Sequence, residues 1–493
     1  MTYLDILAGF ISISLAVLWY LRRAQSWQLS LPPGPKKRFL IGNLNDMPTS
    51  FEWETYLKWG KEYDSDIIHL DVVGTSIVVL NSWEAISDLL DKRSSIYSSR
   101  TRLPMVRELM GWDFLVGLMP YGMRVHRRLF QQTLNANATL HFRPQVLDAA
   151  REVLQRLLDK PEEFMTHLRY MAARVIMSIT YGIDTLPEGD PFVAAAEDAL
   201  HTVSIAAVPG TFLVDFLPFL KYVPEWFPGA GFQRKASKWK VLARRMVDIP
   251  YAEVIRRFAD GSYKPSFTSS NLGRIGPGQD VASQQRAVKN AAGTMYAADT
   301  VSAIATFVLG MLFNPEAQRK GVLNQGRLPT FKDEESLPYV TAIVKEVLRW
   351  KNVTPIAIPH LLEVDDVYRS YRLPAGSVVV PNTWYVAYPD PFSFKPERFM
   401  KDGRLDLTVK DPAIAAFGFG RRICPGRHLA YSSIWITVAS ILTAFNITKG
   451  VDEDGMVIEP SDKVCTGLVC MPEPFRCSIK PRSKEAEVLI CGS

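Results

Sequence analysis

A glycine-rich segment around one cysteine constrains this chain more than any other feature. Residues 417–426 have the sequence FGFGRRICPG, and a long apolar stretch, residues 429–445, follows at once. Unpaired backbone N–H groups and the dipole at a helix N-terminus stabilise a thiolate, and glycines let the backbone approach a large, flat group. The segment therefore indicates that Cys424 is a thiolate ligand. The alternative is an inert, buried cysteine in a glycine-rich turn.

The spacing F-x-x-G-x-R-x-C-x-G in this segment resembles the haem-binding motif of the cytochrome P450 family. The positions that match are Phe417, Gly420, Arg422, Cys424 and Gly426. The resemblance implies a haem b cofactor whose iron is bound by the Cys424 thiolate, with the other four residues contacting the cofactor. A cysteine axial ligand is typical of enzymes that cleave the O–O bond. Five matches within ten residues favour this interpretation over the inert cysteine.

Composition limits the classes of function. The chain has 493 residues, of which 47% are hydrophobic and 22% charged, as in ordinary globular proteins with a large core. The formal net charge of +6 is a mild excess, compatible with an acidic partner or an anionic membrane surface. No nucleic-acid motif is present, so we expect no nucleic-acid partner. Five cysteines are too few for a disulfide scaffold, and the three at 465, 470 and 477 lack a C-x-x-C pair, which disfavours a zinc site.

The N-terminus predicts a membrane anchor. Residues 6–21 are uncharged, and Arg22 and Arg23 follow them. We expect a transmembrane anchor at residues 3–21, a basic and proline-rich hinge at 22–35, and a catalytic domain at 36–493. The positive-inside rule places that domain in the cytosol. A cleaved signal peptide is the alternative, but its positive charge would precede the apolar run, where this chain has Asp5.

Secondary-structure patterns predict mainly helices with small β-sheets. Strand-like runs at residues 67–73 and 76–80 predict a hairpin, residues 371–380 predict a second pair of strands, and the polar residues 266–278 predict a surface loop. The rest of the chain is mostly helical in pattern. We therefore expect an α+β protein, mainly α with small β-sheets, with the cytochrome P450 fold behind an N-terminal transmembrane helix.

Residues 289–313 predict one long buried helix with a single acid. The stretch is nearly uncharged and ends at Asn314 and Pro315, while Asp299 lies inside it beside Thr300. A buried charge is costly unless it is paired or functional. By resemblance, an acid–threonine pair on the long helix of the P450 family delivers protons during oxygen activation, which implies that Asp299 and Thr300 are catalytic. A helix cap or bend is the alternative.

Two further motifs imply a bracing network. Glu346 and Arg349 lie three residues apart, so they share one helix face and can form an ion pair. Alone, such a pair is usually a solvated surface contact. In the P450 family these residues and an arginine of a later P-E-R-F motif, here Arg398, form a structural triad on the proximal side of the haem. We expect this triad to support the fold without taking part in chemistry.

The resemblance also implies partners for the haem propionates. His360 closes the apolar segment TPIAIPH, and family members use a residue at this place, together with Arg422, to bind a propionate. The alternative for His360 is a satisfied core histidine. The family's Trp-Arg pair ahead of His126-Arg127-Arg128 is absent here, and Arg124 is the one residue that we expect to replace its arginine.

The resemblance implies a monooxygenase that inserts one oxygen atom of O₂ into a lipophilic small molecule. Similar fungal microsomal sequences act in secondary-metabolite biosynthesis, on terpenoids, polyketides or alkaloids. No G-x-G-x-x-G or flavin module follows the haem segment, which implies a separate NADPH-dependent cytochrome P450 reductase. We expect a single-pass protein of the endoplasmic reticulum membrane. Two alternatives are a haem-thiolate isomerase or dehydratase without a reductase, and a non-catalytic product, since short omissions occur near 123–128, 297–301, 317–328 and 384–389.

Overall fold

The computed structural model describes residues 29–122, 124–208, 210–276, 280–297, 300–322, 326–384, 388, 390–465 and 467–492. The predicted anchor at 3–21, residues 22–28 of the hinge and Asp299 lie outside the described residues. Helices dominate. They are α1 Glu52–Glu62, α2 Trp83–Ile86, α3 Ser94–Tyr97, α4 Arg124–Leu134, α5 Arg143–Asp159, α6 Phe164–Tyr181, α7 Pro191–Ala206, α8 Gly231–Asp260, α9 Phe267–Leu272, α10 Val281–Tyr296, α11 Val301–Phe313, α12 Pro315–Lys320, α13 Pro338–Trp350, α14 Pro412–Ala416, α15 Arg427–Ala444 and α16 Lys484–Cys491.

The strands form small sheets beside the helices. They are β1 Ile67–Val72, β2 Thr75–Leu80, β3 Ser99–Arg100, β4 His360–Leu361, β5 Asp366–Tyr368, β6 Tyr371–Leu373, β7 Val378–Pro381, β8 Met400–Lys401, β9 Arg404–Leu405, β10 Phe445–Lys449 and β11 Cys477–Pro481. One sheet has five strands in the order β1-β2-β7-β4-β3, and β10-β11, β5-β6 and β8-β9 pair separately. The mainly helical architecture with small sheets agrees with the prediction.

The predicted hairpin is present and the second predicted strand pair is not. Strands β1 and β2 are antiparallel, and Val73 and Gly74 form the turn with φ values of 50° and 84°. Two positive φ values in a two-residue turn match the right-handed twist of the flanking strands. In residues 371–380, by contrast, β6 pairs with β5 and β7 pairs with β2 and β4, so the two runs enter different sheets.

The long helix predicted at residues 289–313 is described as two helices. Helix α10 ends at Tyr296 and α11 begins at Val301; Ala297 has a ψ of 6° and Thr300 a ψ of −12°. These values are far from about −42°, the value that continues i→i−4 hydrogen bonds. By length and composition the stretch Val281–Phe313 is apolar enough to cross a membrane, but 81% of its most apolar window is buried inside the protein. It is a core element.

The predicted surface loop at 266–278 contains a short buried helix. Ser266 caps α9 by accepting a hydrogen bond from the Ser269 N–H at 3.2 Å, and the Ser269 hydroxyl accepts one from the Ser266 N–H at 2.9 Å. This reciprocal capping box satisfies two backbone donors of the first turn. Phe267 then packs in the core, where its ring lies 6.4 Å from that of Phe130. The side chains of Ser266 and Ser269 are therefore bonded to the backbone instead of facing the solvent.

Candidate functional site

The loop that presents Cys424 is held against residues 87–94 by a glycine. Gly420 has a φ of 51°, and a Cβ there would lie 2.2 Å from the carbonyl oxygen of Leu90. Its N–H donates to Asp91 Oδ1 at 2.5 Å. The Cys424 N–H donates to the carbonyl of Phe417 at 2.7 Å. Any other residue at 420 would have a strained backbone, and its side chain would collide with the backbone of Leu90, so only glycine fits at this position.

The Cys424 sulfur lies at the start of α15, where backbone N–H groups reach it. The N–H groups of Gly426 and Arg427 and the guanidinium of Arg427 lie near the sulfur and favour its anion, while the Arg427 N–H and Nη1 donate to the Cys424 carbonyl at 3.4 and 3.2 Å. Burial raises the pKa of the Cys424 thiol, and these three contacts act in the opposite direction. A bound metal cation deprotonates a coordinating thiol outright. The site is therefore suited to a thiolate once a cation is bound to the sulfur.

Four arginines lie together beside this loop, and we call Arg100, Arg127, Arg421 and Arg422 the arginine cluster. The guanidinium carbons of the last three lie 5.2, 5.7 and 5.8 Å from the ring centre of Tyr121. Within the described part of the chain, no carboxylate lies within 4.0 Å of any of the four guanidinium groups. The cluster is a concentration of positive charge without a matching acid.

Backbone carbonyl groups hold the two inner arginines. Arg100 donates to the carbonyls of Ile358, Pro359 and Gly117 at 2.6, 3.1 and 3.0 Å. Arg422 donates to the carbonyl of Ser98 at 2.7 Å. Burial, followed by repulsion from neighbouring arginines, lowers the pKa of Arg100 well below its usual value and that of Arg422 to about 10. An anion here would relieve that repulsion.

His360 belongs to the same group of residues. Strand β4 pairs with β3 so that His360 lies directly opposite Arg100. The imidazole is 2% exposed, and its Nδ1 lies 2.7 Å from the carbonyl oxygen of Tyr97, to which it donates. Burial, and then the charge of Arg100, lowers the pKa of His360 well below its usual value. His360 therefore lies near Arg100 and Arg422, and its role beside a haem propionate stays a prediction.

Helix α4 contributes an arginine that the sequence did not single out. The sequence predicts Arg124, which begins α4 and whose side chain is not described, so its role stays a prediction. Arg127, three residues later, lies in the arginine cluster. The run His126-Arg127-Arg128 signals a basic helix, but choosing its inward arginine requires knowing where the helix begins. Arg100 was missed altogether, because one arginine in SSRTR carries no distinguishing pattern.

The structure joins the predicted triad in a separate, deeply buried network. Arg349 donates to both carboxylate oxygens of Glu346 at 2.7 and 2.8 Å, and Arg398 Nε lies 3.0 Å from Glu346 Oε2. The Lys395 N–H adds a fourth donor at 2.5 Å. The two arginines also donate to the carbonyl of Ser393. The network thereby connects α13 to the segment 390–399.

Of the predicted acid–threonine pair, the structure describes one member. Thr300 lies at the N-terminus of α11, half-buried, and its carbonyl accepts from the Ile304 N–H at 3.3 Å. Asp299 lies outside the described residues. Thr300 is the N-cap residue of α11, with a ψ of −12°.

Comparisons with known proteins agree over nearly the whole chain. A family model described as "Cytochrome P450" matches residues 32–478. "Cytochrome P450 monooxygenase 98" of Postia placenta is 47% identical over 97% of this chain and 95% of its own length. "Cytochrome P450 monooxygenase ple1" of Rhodocybe pseudopiperita is 42% identical over 99% and 96%. "Tryptamine 4-monooxygenase" of Psilocybe cyanescens is 42% identical over 98% and 99%.

These matches cover the cysteine loop, the arginine cluster and the buried triad together. Members of the family bind haem b through a cysteine thiolate and use O₂ with electrons from a reductase partner. The chain belongs to the cytochrome P450 family of haem-thiolate monooxygenases.

Proposed function

We propose that this monooxygenase uses Cys424 as its haem ligand and inserts one oxygen atom of O₂ into a lipophilic small molecule of fungal secondary metabolism. The observation that carries the assignment is the position of Cys424 at the start of α15, beside an arginine cluster that forms no ion pair with a described carboxylate. A terpenoid, a polyketide or an alkaloid suits such an enzyme. The name of the relative from Psilocybe cyanescens, which specifies tryptamine, adds weight to an alkaloid.

The residues present fit haem b. The cofactor is flat and carries two propionate anions, and the arginine cluster offers charge that the described protein does not neutralise. Arg422, Arg100, Arg127 and His360 would hold the propionates, with Arg124 as the original sequence-based candidate. A Cβ on Gly426 would meet nothing but the Cys424 sulfur, at 3.9 Å, so the polypeptide leaves space on that side. Phe417 and Gly420 would complete the cysteine side.

The chain's own residues then have distinct roles. Haem b bound through a thiolate supplies oxygen activation, with the second oxygen atom of O₂ reduced to water. Cys424 donates electron density, and the N–H groups of Gly426 and Arg427 restrain its sulfur. Asp299 and Thr300 would carry protons on the opposite side. Glu346, Arg349 and Arg398 would hold the loops on the cysteine side in register, because a buried network fixes the elements that it joins.

The electrons would come from a separate NADPH-dependent cytochrome P450 reductase. Arg421 and Arg427 beside Cys424 supply positive charge for an acidic partner. Residues 3–21 would anchor the protein in the endoplasmic reticulum membrane, with the catalytic domain in the cytosol. A lipophilic substrate would then be available from the same membrane.

The test of the ligand is Cys424→Ser, with Cys477→Ser as the matched control. Both purified proteins are reduced and exposed to carbon monoxide. The control should keep the red-shifted Soret band of a thiolate-bound haem, because Cys477 lies in the separate sheet β10-β11. Cys424→Ser should lose that band. Retention of the thiolate-type band by Cys424→Ser would reject the assignment.

A further inference from the structure

Helix α10 holds the segment 112–119 by a specific hydrogen bond, and we call these eight residues the cover segment. The Thr294 hydroxyl oxygen accepts a hydrogen bond from the Val116 N–H at 3.0 Å. The hydroxyl can donate to the carbonyl oxygen of Asn290 at 2.9 Å or to that of Phe114 at 3.3 Å. A side-chain hydroxyl on a helix thus satisfies a backbone donor of a neighbouring loop. Such a bond fixes the position of the loop, because an unpaired buried N–H is costly.

The residue before Thr294 lets the cover segment approach α10 closely. A Cβ at Gly293 would lie 3.1 Å from Cδ2 of Phe114 and 3.0 Å from Cγ2 of Val247, tighter than ordinary van der Waals contact. The Phe114 ring lies against the helix and is stacked on Trp112, with ring centres 5.1 Å apart. Gly293 and Thr294 together form what we call the seat of the cover segment.

The opposite edge of the cover segment contacts the haem side of the protein. Arg422 donates to the carbonyl of Met119 and reaches that of Val116 at 3.5 Å, and Arg100 donates to that of Gly117 at 3.0 Å. The Ile358 side chain lies 3.4 Å from the position that a Cβ on Gly117 would take. The cover segment therefore bridges the seat on α10 and the arginine cluster beside Cys424.

We propose that Gly293 and Thr294 are positioning residues that set the distance of the cover segment from the haem that the arginine cluster would hold, and thereby determine the shape of molecule that reaches the iron. This inference rests on the proposed haem site. Apolar walls discriminate between ligands by shape, and a displacement of about 1 Å changes reactivity by about a hundredfold. The seat controls the position of the cover segment without contacting the ligand.

Binding of imidazoles to the haem protein tests the proposal without turnover. The probes are imidazole, 1-phenylimidazole and 2-phenylimidazole, whose dissociation constants are measured from the Soret shift. In Thr294→Val, the ratio of the two phenylimidazole constants should change by about tenfold, while the constant for imidazole changes less than about twofold, because imidazole does not reach the cover segment. Thr294→Ser should restore the wild-type ratio. Gly293→Ala should change it as Thr294→Val does.

Thr443→Val is the matched control, since the Thr443 hydroxyl donates to the Ala439 carbonyl of its own helix at 2.8 Å. Hydrogen exchange of peptides covering residues 112–119 should rise in Thr294→Val and not in Thr443→Val. Thr294→Ala takes the place of Thr294→Val if the latter does not fold. Two results in a variant that binds haem would overturn the proposed role of Gly293 and Thr294. One is an unchanged ratio of the two phenylimidazole dissociation constants, and the other is an equal change in the constants of all three imidazoles. A colourless wild-type protein would overturn the proposed haem site instead.

Discussion

At the scale of single residues, Glu52 is the carboxyl group whose burial is least supported. It is 1% exposed, and neither carboxyl oxygen has a hydrogen-bond partner among the described residues. The hydroxyl of Tyr56, one turn along α1, is buried and unpartnered as well. Burial raises the pKa of Glu52 from its ordinary value of 4.5. The fold therefore tolerates a carboxyl group that it does not stabilise.

We expect Glu52→Gln to increase the free energy of unfolding at pH 7 by about 1–2 kcal/mol. The folded protein holds the Glu52 proton more tightly than the unfolded chain, so wild-type stability falls as the pH rises above about 4.5. The gain from Glu52→Gln should therefore vanish below that pH. Urea unfolding of the haem-bound protein at pH 7 and pH 4 measures both values. Glu54→Gln, at an exposed position on the same helix, is the control. A gain that persists at pH 4 would contradict the explanation.

Residue-scale prediction depended on fixed spacing along the chain. Glu346, Arg349 and Arg398 lie in motifs of constant spacing, and the structure joins them, while the roles of Cys424, Arg422 and Arg124 stay predictions. Arg127, three residues after Arg124, carries no pattern of its own that separates it from its basic neighbours. Arg100 depends on the β3-β4 pairing, a contact between residues 260 positions apart.

At the scale of elements, the Glu346 network connects α13 to the segment 390–399. Glu346→Gln leaves Arg349 and Arg398 buried without their anion, which costs about 3–5 kcal/mol. We expect a large loss of haem-loaded, soluble protein, measured as Soret absorbance per milligram of purified protein. Glu397→Gln is the control, because Glu397 forms a partly exposed pair with Lys320 and such pairs contribute at most about 1 kcal/mol. Equal yields from the two variants would show that the network is not structurally important.

Residues 102–109 and residues 213–222 are joined by ion pairs near the surface. Glu108 accepts from Arg102 at 2.6 Å and from Lys221 at 2.7 Å, linking residues 102–109 to residues 213–222. Bonding to Arg102 is the main reason that the pKa of Glu108 falls to about 2. We expect Glu108→Gln to raise hydrogen exchange in residues 213–222, by less at 1 M salt than at 0.1 M, because salt screens exposed pairs. Glu225→Gln serves as the control, and equal exchange in Glu108→Gln and wild type would refute the link.

A helix or strand could be predicted from the sequence when the residues that define it are neighbours along the chain. The β1-β2 hairpin was predictable because its turn and alternating strands are neighbours in sequence. Residues 266–278 were predicted as a loop, since the capping role of Ser266 and Ser269 is indistinguishable from solvent exposure until α9 packs against α6 and α10. A separate helix beginning at Val301 was not the main prediction, since the sequence offered a helix cap or bend at Asp299 and Thr300 only as the alternative to a proton relay.

At the scale of the whole molecule, the arginine cluster couples cofactor binding to stability. Arg100 is buried and Arg422 half-buried, and the two repel one another. We expect Arg127→Gln to stabilise the apoprotein and to destabilise the haem-bound protein relative to wild type, because it removes both a repulsion and a propionate partner. Thermal unfolding of the two forms measures this reversal of sign. Arg128→Gln, the next residue on α4, is the control. Destabilisation of both forms by Arg127→Gln would contradict the coupling.

The same cluster bears on how a cell handles the newly made chain. A polypeptide that finishes synthesis while porphyrin is scarce carries mutually repelling charges in its interior, and a loosened interior is what quality-control proteases recognise. The abundance of this enzyme should therefore follow the host's tetrapyrrole supply more closely than it follows its messenger RNA.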